Sequence, residues 1–248
     1  MSRFQLFSAR EIESLRKGGR ILRECLQEVS SRVRAGVKTK ELDTVAEQFI
    51  RSRGGLPAFK GYHGYPATLC VSINEECVHG IPGDRIVADG DIVSLDCGVI
   101  FADLFTDACV SVLVGKVDPK VKKLASVTER ALEAACVMVR PGIKIGDLSA
   151  CIQKTVEEEG FCCMQGLTGH GLGTNLHQFP DIPNLGEEGT GPKLPPFTLI
   201  AIEPITSIGT RQIRQLDDGW TIVTADSSFS AHFEHTVLVL PEGREIIV

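Results

Sequence analysis

The sequence predicts an α/β protein made of two similar halves, each a pair of helices packed on antiparallel strands. Three observations predict it. A segment repeats at a constant offset, a long helix precedes each copy, and acidic residues interrupt the apolar β-rich runs that follow each copy. In the repeat, "RVRAGVKTKELDTVAEQFIRSRGG" (32–55) aligns with "MVRPGIKIGDLSACIQKTVEEEGF" (138–161), so that residue 34 faces residue 140. Both copies read as the end of one helix, a glycine turn (Gly36, Gly142) and a second helix.

The first long helix opens with a capping box, Ser8 and Glu11, and carries Ile12, Leu15, Leu22, Leu26 and Val29 as its apolar stripe. The second opens on Asp118 as N-cap with Pro119 behind it. The helices inside the repeat bury Leu42, Val45, Ala46, Phe49 and Ile50 in one copy, and Leu148, Cys151, Ile152, Thr155 and Val156 in the other. Four strand-like runs follow. "GDIVSLDC" (90–97) alternates and is expected to end near Asp96, and "FTLIAIEP" (197–204) does the same around Glu203. "FTDACVSVLVG" (105–115) and "HFEHTVLVLPEG" (232–243) each start beside a carboxylate, Asp107 and Glu234.

With 248 residues, 43% hydrophobic and 23% charged, the chain can bury a full core. A single domain, 1–248, is expected, with halves of about 1–115 and 116–248. No apolar run is long enough to span a membrane, and the opening segment lacks the pattern of a secretory signal. Nine cysteines without a C-x-x-C pair point to reduced thiols and a cytoplasmic protein. The net charge of −6 conceals a basic start, since residues 1–60 hold 13 Lys/Arg against 7 Asp/Glu. That excess is either a solvated helix face or a docking surface for an RNA-rich partner such as the ribosome.

A carboxylate inside an apolar strand is costly unless something neutralises it. If the halves pack about a pseudo-twofold axis, Asp96, Asp107, Glu203 and Glu234 meet at the centre, where they would repel strongly. Two divalent cations roughly 3.5 Å apart would relieve that repulsion. "LTGHGLGTNLHQFP" (167–180) is too glycine-rich for a helix, so it reads as loop or strand whose backbone approaches something closely. His170 within it is the natural nitrogen ligand.

These five residues, in type, order and spacing, resemble the dinuclear metal ligands of the type I methionine aminopeptidases. "GYHGYPATLCVSINEECVHGIPGD", "GHGLG", "AIEP", "DGWT" and "SAHFEHTVLV" are similar to that family's motifs, and the likeness runs through nearly the whole chain. The resemblance implies the pita-bread fold and a metal-dependent aminopeptidase acting on nascent polypeptide N-termini whose second residue is small. In that mechanism a metal-bridging hydroxide attacks the scissile carbonyl, the two metals being cobalt, manganese, iron or zinc. Glu203 then resembles the ligand that also shuttles the proton, His177 the residue that stabilises the oxyanion, and His79 the one that assists the nascent amine. His63 is expected in the substrate channel. His235 is expected to orient Glu234 from behind, and His232 receives no role.

The methionine pocket implied by the resemblance is formed by Phe59, Tyr62, Tyr65, Cys70, Leu176 and Trp220. Asn74 and Ser230 are expected near a monovalent cation. Two positions depart from the family: Leu176 stands where Phe is common, widening the pocket wall, and Gln178 where Glu is common, removing a charge at its mouth. The 33-residue step from His170 to Glu203 leaves no room for the type II helical insertion. A monomer is expected, with neither membrane nor specific DNA as partner. The alternatives are a proline-specific peptidase of the same fold, which usually carries a further N-terminal domain, and a non-catalytic ribosome- or peptide-binding homologue, which should lack ligands.

Overall fold

The computed structural model describes residues 4–248; Arg3, part of the basic start, lies outside the described residues. Helix α1 (Ala9–Ser30) begins as its sequence predicts. The Glu11 N–H donates to Ser8 Oγ, and Ser8 N–H donates back to Glu11 Oε2 at 2.8 Å. After a two-turn link comes α2 (Thr39–Ser52), burying Leu42, Ala46 and Ile50. The strands β1 (Leu56–Pro57), β2 (Leu69–Ile73), β3 (Glu76–Val78), β4 (Ile92–Phe101) and β5 (Leu104–Leu113) complete the first half, with a short 3-10 turn at Tyr62–Gly64.

The second half repeats the helical pair as α3 (Pro119–Met138) and α4 (Ile145–Glu157). Lys120 N–H donates to the Asp118 cap at 2.7 Å. Ten short strands follow: β6 (Cys162–Cys163), β7 (Thr168–Gly171), β8 (Gln178–Pro183), β9 (Leu199–Ile202) and β10 (Ile205–Ser207), then β11 (Ile213–Gln215), β12 (Ile222–Thr224), β13 (Ser230–His232), β14 (His235–Val239) and β15 (Arg244–Ile246). Among the described residues no helix is long and apolar enough to cross a membrane.

Each helical pair covers its own strands. Leu22, Leu26, Val29, Leu42 and Ile50 pack with Leu69, Leu95 and Val99, while Leu124, Leu132, Leu148 and Ile152 pack with Ile200, Ile202, Val237 and Val239. Each such fully buried side chain contributes about 1.5–3 kcal/mol relative to exposure. Ile12 and Leu15, at the start of α1, cross over to Leu172, Leu199 and Leu238 of the second half.

One expectation is corrected. Strand β4 does not end near Asp96 but runs on to Phe101, and its burial does not alternate. Helices cover one face and the central cavity the other, so both sets of side chains are shielded. As expected the pairings are antiparallel, and among the described residues they form pieces of four, three, three and five strands. The breaks coincide with two of the expected ligands. Glu203 and Pro204 interrupt the run between β9 and β10, and Phe233 and Glu234 the run between β13 and β14; Pro204 has no N–H to continue a ladder.

A short seam joins the halves. Glu234 N–H donates to the Cys109 carbonyl at 2.9 Å. On one side of that bridge, Asp107 N–H donates to Thr236 Oγ1 and Thr236 Oγ1 donates to the Asp107 carbonyl, at 2.9 and 2.7 Å. On the other, His232 N–H donates to Ser111 Oγ. Residues 107, 109 and 111 thus face 236, 234 and 232, an antiparallel register carried across the gap between sheets.

Candidate active site and metal centre

Strand register explains how the acidic residues meet. Asp96 in β4 stands opposite Cys109 in β5, and Cys109 opposite Glu234. His235 pairs with Ile202, so the same register continues to Glu234 opposite Glu203. Asp96, Cys109, Glu234 and Glu203 therefore form one row across four chain segments, with side chains on one face. Asp107, two residues from Cys109, is the diagonal neighbour of Asp96 on that face. His170 pairs with Ala201, two residues before Glu203, and its Nε2 lies 3.5 Å from Glu203 Oε1.

The glycines beside His170 are required by this approach. A Cβ on Gly169 would lie 2.4 Å from the Ala201 carbonyl oxygen, and one on Gly171 would lie 2.3 Å from that of Phe179. Only glycine lets β7 fit between its neighbours at these points.

Asp107, His170 and Glu234 are buried and offer ligand atoms all within 4.8 Å of one another. Asp96 and Glu203 complete the floor of the same cavity. Asp96 Oδ1, Asp107 Oδ1 and Glu234 Oε1 are buried without a hydrogen-bond partner. Burial pushes Asp96 up to about 7. It also drives Asp107, Glu203 and Glu234 well above the usual carboxylate range, with help from the neighbouring carboxylates. His170 is pushed down to about 3 by burial, then by His177. Its Nδ1 faces the Gly171 carbonyl at 3.0 Å, so the proton sits there and Nε2 presents a free lone pair to the carboxylates. Orphaned carboxylate oxygens and an unprotonated imidazole nitrogen, converging on one point, fit divalent metal ions.

Above the cluster the cavity wall is apolar and aromatic. Phe59, Tyr62, Tyr65, Cys70, Leu176 and Trp220 line it, joined by Val78, which sequence reasoning did not single out. Trp220 stands edge-on to Tyr65 with ring centroids 5.1 Å apart. His79 and His177 both line the same cavity. His79 follows β3 with φ of 61°, a backbone setting uncommon outside glycine. Burial, then His177, lowers its pKa to about 4. His177 is lowered by burial and by His63, and its Nδ1 lies 3.1 Å from the Tyr62 hydroxyl.

Other residues lie elsewhere than expected. His63 is exposed and outside the cavity lining, its ring against Tyr62 at 4.4 Å. His235 turns away from the cluster into a separate surface cavity with Arg23, Glu129 and Val248, because successive side chains of a strand point to opposite faces. Its side chain lies on the strand face opposite the Glu234 carboxylate, although Glu234 also borders that cavity. Gln178 does not shape the pocket mouth. Its amide donates to the Leu172 carbonyl at 3.2 Å and accepts from Asn175 N–H at 3.2 Å, closing its own loop. His232 is the residue that sequence reasoning missed: it is buried in the cavity lining, with Nε2 3.7 Å from Glu203 Oε2. Its neighbourhood to "FEHT" was the available signal. Asn74 and Ser230 do adjoin, the Ser230 N–H donating to the Asn74 carbonyl at 2.8 Å.

Residues 13–241 match Metallopeptidase family M24. A methionine aminopeptidase of Clostridium perfringens is 43% identical over 237 residues, covering 96% of this chain and 95% of its own. Methionine aminopeptidase 1 of Bacillus subtilis is 41% identical, covering 96% of each. The crystal structure of a Thermotoga maritima methionine aminopeptidase superimposes with a TM-score of 0.98 at 42% identity, covering 99% of both chains. A Pyrococcus furiosus prolidase shares the pita-bread fold alone, with a TM-score of 0.80 at 20% identity over 98% of this chain and 64% of its own. Matched in family, fold and nearly full length, the chain belongs to metallopeptidase family M24.

Proposed function

We propose that this peptidase removes the N-terminal methionine from nascent polypeptides whose second residue is small. The observation that carries the reading is the apolar pocket wall of Tyr65, Cys70, Leu176 and Trp220 in the same cavity as the carboxylate–imidazole cluster. A long, unbranched, polarisable side chain suits such a wall. The five ligands assigned to two divalent ions are Asp96, Asp107, His170, Glu203 and Glu234, a donor set suited to manganese, iron, cobalt or zinc. Bound there, the ions supply a water acidic enough to attack at neutral pH and polarise the scissile carbonyl.

The chain's own residues do the rest. With the Tyr62 hydroxyl donating to Nδ1, His177 carries its proton on Nε2 and donates it as a hydrogen bond to the carbonyl oxygen as that oxygen gains negative charge. Burial keeps both His177 and His79 neutral, so each acts by hydrogen bonding rather than as a cation. Glu203, beside the metal site, takes the proton of the attacking water and passes it to the departing amine. His79, across the cavity, steadies that amine. Trp220 and Tyr62 narrow the entrance, which favours a small second residue.

In this reading the chain is one domain of two halves, 1–115 and 116–248, and acts as a monomer. Its nine free thiols support a reducing compartment, the cytoplasm. Arg10, Lys17 and Arg20 lie on one face of α1, exposed and outside the ion pairs among the described residues, and form the surface offered to a ribosome. Asn74 and Ser230 adjoin as a monovalent-cation site requires. The test is turnover of Met-Ala-Ser, Met-Lys-Ser, Leu-Ala-Ser and Ala-Pro peptides by manganese-reconstituted protein. Met-Ala-Ser should lead; faster cleavage of Ala-Pro would install the proline-specific reading instead.

A further inference from the structure

His232 is tied down more firmly than a core-filling residue needs to be. Its backbone pairs with Ile205 of β10 on one edge. On the other edge Ser111 Oγ accepts the His232 N–H at 3.1 Å and donates to the His232 carbonyl at 2.8 Å. Ser94 Oγ lies 2.8 Å from the same hydroxyl. A hydroxyl has one proton and two lone pairs, so Ser94 is the donor to Ser111 and that oxygen is saturated. The root of the His232 side chain is thereby fixed from both halves of the molecule.

The ring itself is buried, and its Nε2 has no hydrogen-bond partner. Facing it at 3.7 Å is Glu203 Oε2, while Glu203 Oε1 faces His170 Nε2 at 3.5 Å. The carboxylate is bracketed by two imidazoles, one a ligand and one with a free ring nitrogen. At 3.7 Å the contact is longer than a hydrogen bond. A small turn of the Glu203 carboxylate closes it, as catalytic contacts tighten when a site is filled.

We propose that His232 is a positioning residue whose Nε2–H holds Glu203 Oε2, aiming Oε1 at the metal site and keeping the carboxylate aligned for proton transfer. The inference rests on the proposed role of Glu203. A neutral side-chain amide can supply the same donor from this position; an apolar side chain of similar bulk cannot. His232→Gln and His232→Leu therefore separate hydrogen bonding from packing.

Metal-free wild type, His232→Leu, His232→Gln, Glu203→Gln and the double variant His232→Leu/Glu203→Gln would be titrated with manganese(II) by calorimetry, and Met-Ala-Ser turnover measured on the loaded proteins. Loss of an outer partner to a ligand should weaken manganese binding about 10–100-fold in His232→Leu. Its kcat should fall while KM stays within about threefold, and His232→Gln should restore both affinity and kcat. In the Glu203→Gln background, His232→Leu should add nothing. Unchanged affinity and kcat in His232→Leu would overturn the proposal, as would an undiminished effect without Glu203. Should His232→Leu fail to fold by circular dichroism, His232→Gln is compared with the shorter His232→Asn, which should bind manganese more weakly; equal affinity overturns the proposal. A wild type that binds manganese but leaves Met-Ala-Ser intact defeats the aminopeptidase reading alone, and the titration cycle still decides His232.

Discussion

The helical pairs of the two halves are near copies, whereas the strands that carry the ligands are not. In the first half, Asp96 and Asp107 sit on two ten-residue strands joined as a hairpin, within an unbroken ladder from Ile92 to Leu113. In the second, Glu203 and Glu234 stand in gaps between strands of three to five residues. The first half offers a rigid anvil. The second brings the groups proposed to change partners during turnover, Glu203 and His177, on segments outside the strands. Duplicated scaffolds can thus keep their helices for packing while dividing fixed and working ligands between unequal strands.

Paired substitutions test that division. Asp107→Asn in the hairpin should cost the most: a buried charge opposing a dication is lost, and activity should fall by roughly a thousandfold or more, about 4 kcal/mol of barrier. Glu234→Gln should match it. Metal content of purified Asp107→Asn protein checks the cause, since full metal occupancy would show that the hairpin carboxylate is dispensable for binding.

His177→Ala and His79→Ala probe the groups outside the cluster. Each should keep its metal and lose about 2–4 kcal/mol of transition-state stabilisation, read as kcat on Met-Ala-Ser. Tyr62→Phe should mimic a fraction of the His177 effect through Nδ1. Loss of metal from either histidine variant would move that residue into the ligand set.

The metal-free protein should respond to pH in a direction fixed by the carboxylates. Asp96 rises from its unfolded value to about 7 on folding, so its contribution to stability is present at low pH and lost as pH climbs through 7. His170 and His232, lowered to about 3, work oppositely, but their contribution is complete once pH exceeds the unfolded histidine value of about 6.5. Between about pH 6.5 and 8, therefore, only the carboxylates still act. The melting temperature in chelator should drop across that window and stay level with saturating manganese. Asp96→Asn should flatten the chelated curve; an unaltered slope would place the effect elsewhere.

The smallest expected change is in specificity. Leu176→Phe narrows the pocket wall and should shift the preference for Met-Ala over Leu-Ala by about 1–3 kcal/mol, measured as the ratio of kcat/KM values. An unchanged ratio would mean that Leu176 does not touch the first side chain.

Much of this was legible in the sequence because it is local. The Ser8–Glu11 box and the Asp118 cap are encoded in adjacent residues, and each became the expected helix boundary. The carboxylates announced themselves by their cost in apolar runs. What the sequence hid depends on contacts across the molecule. The extension of β4 beyond Asp96 follows from pairing with β5 and with Leu56–Pro57. The outward turn of His235 follows from its pairing with Ile202. The closeness of His232 to Glu203 follows from its pairing with Ile205, and its backbone is held on the other edge by Ser111, more than a hundred residues away. Gln178 was misread because its amide finds loop partners, which composition does not reveal.

The 107–111 seam with 232–236 also bears on how the molecule comes into being. Neither half holds a complete ligand set, and the joining contacts close a loop of more than a hundred residues, which makes them late, high-contact-order events in folding. Metal capture is then coupled to docking of the halves rather than to the formation of either core. A chain severed near residue 116 would leave two pieces, each with its own helical pair, and metal-dependent hydrolysis would become a direct report of their reassociation.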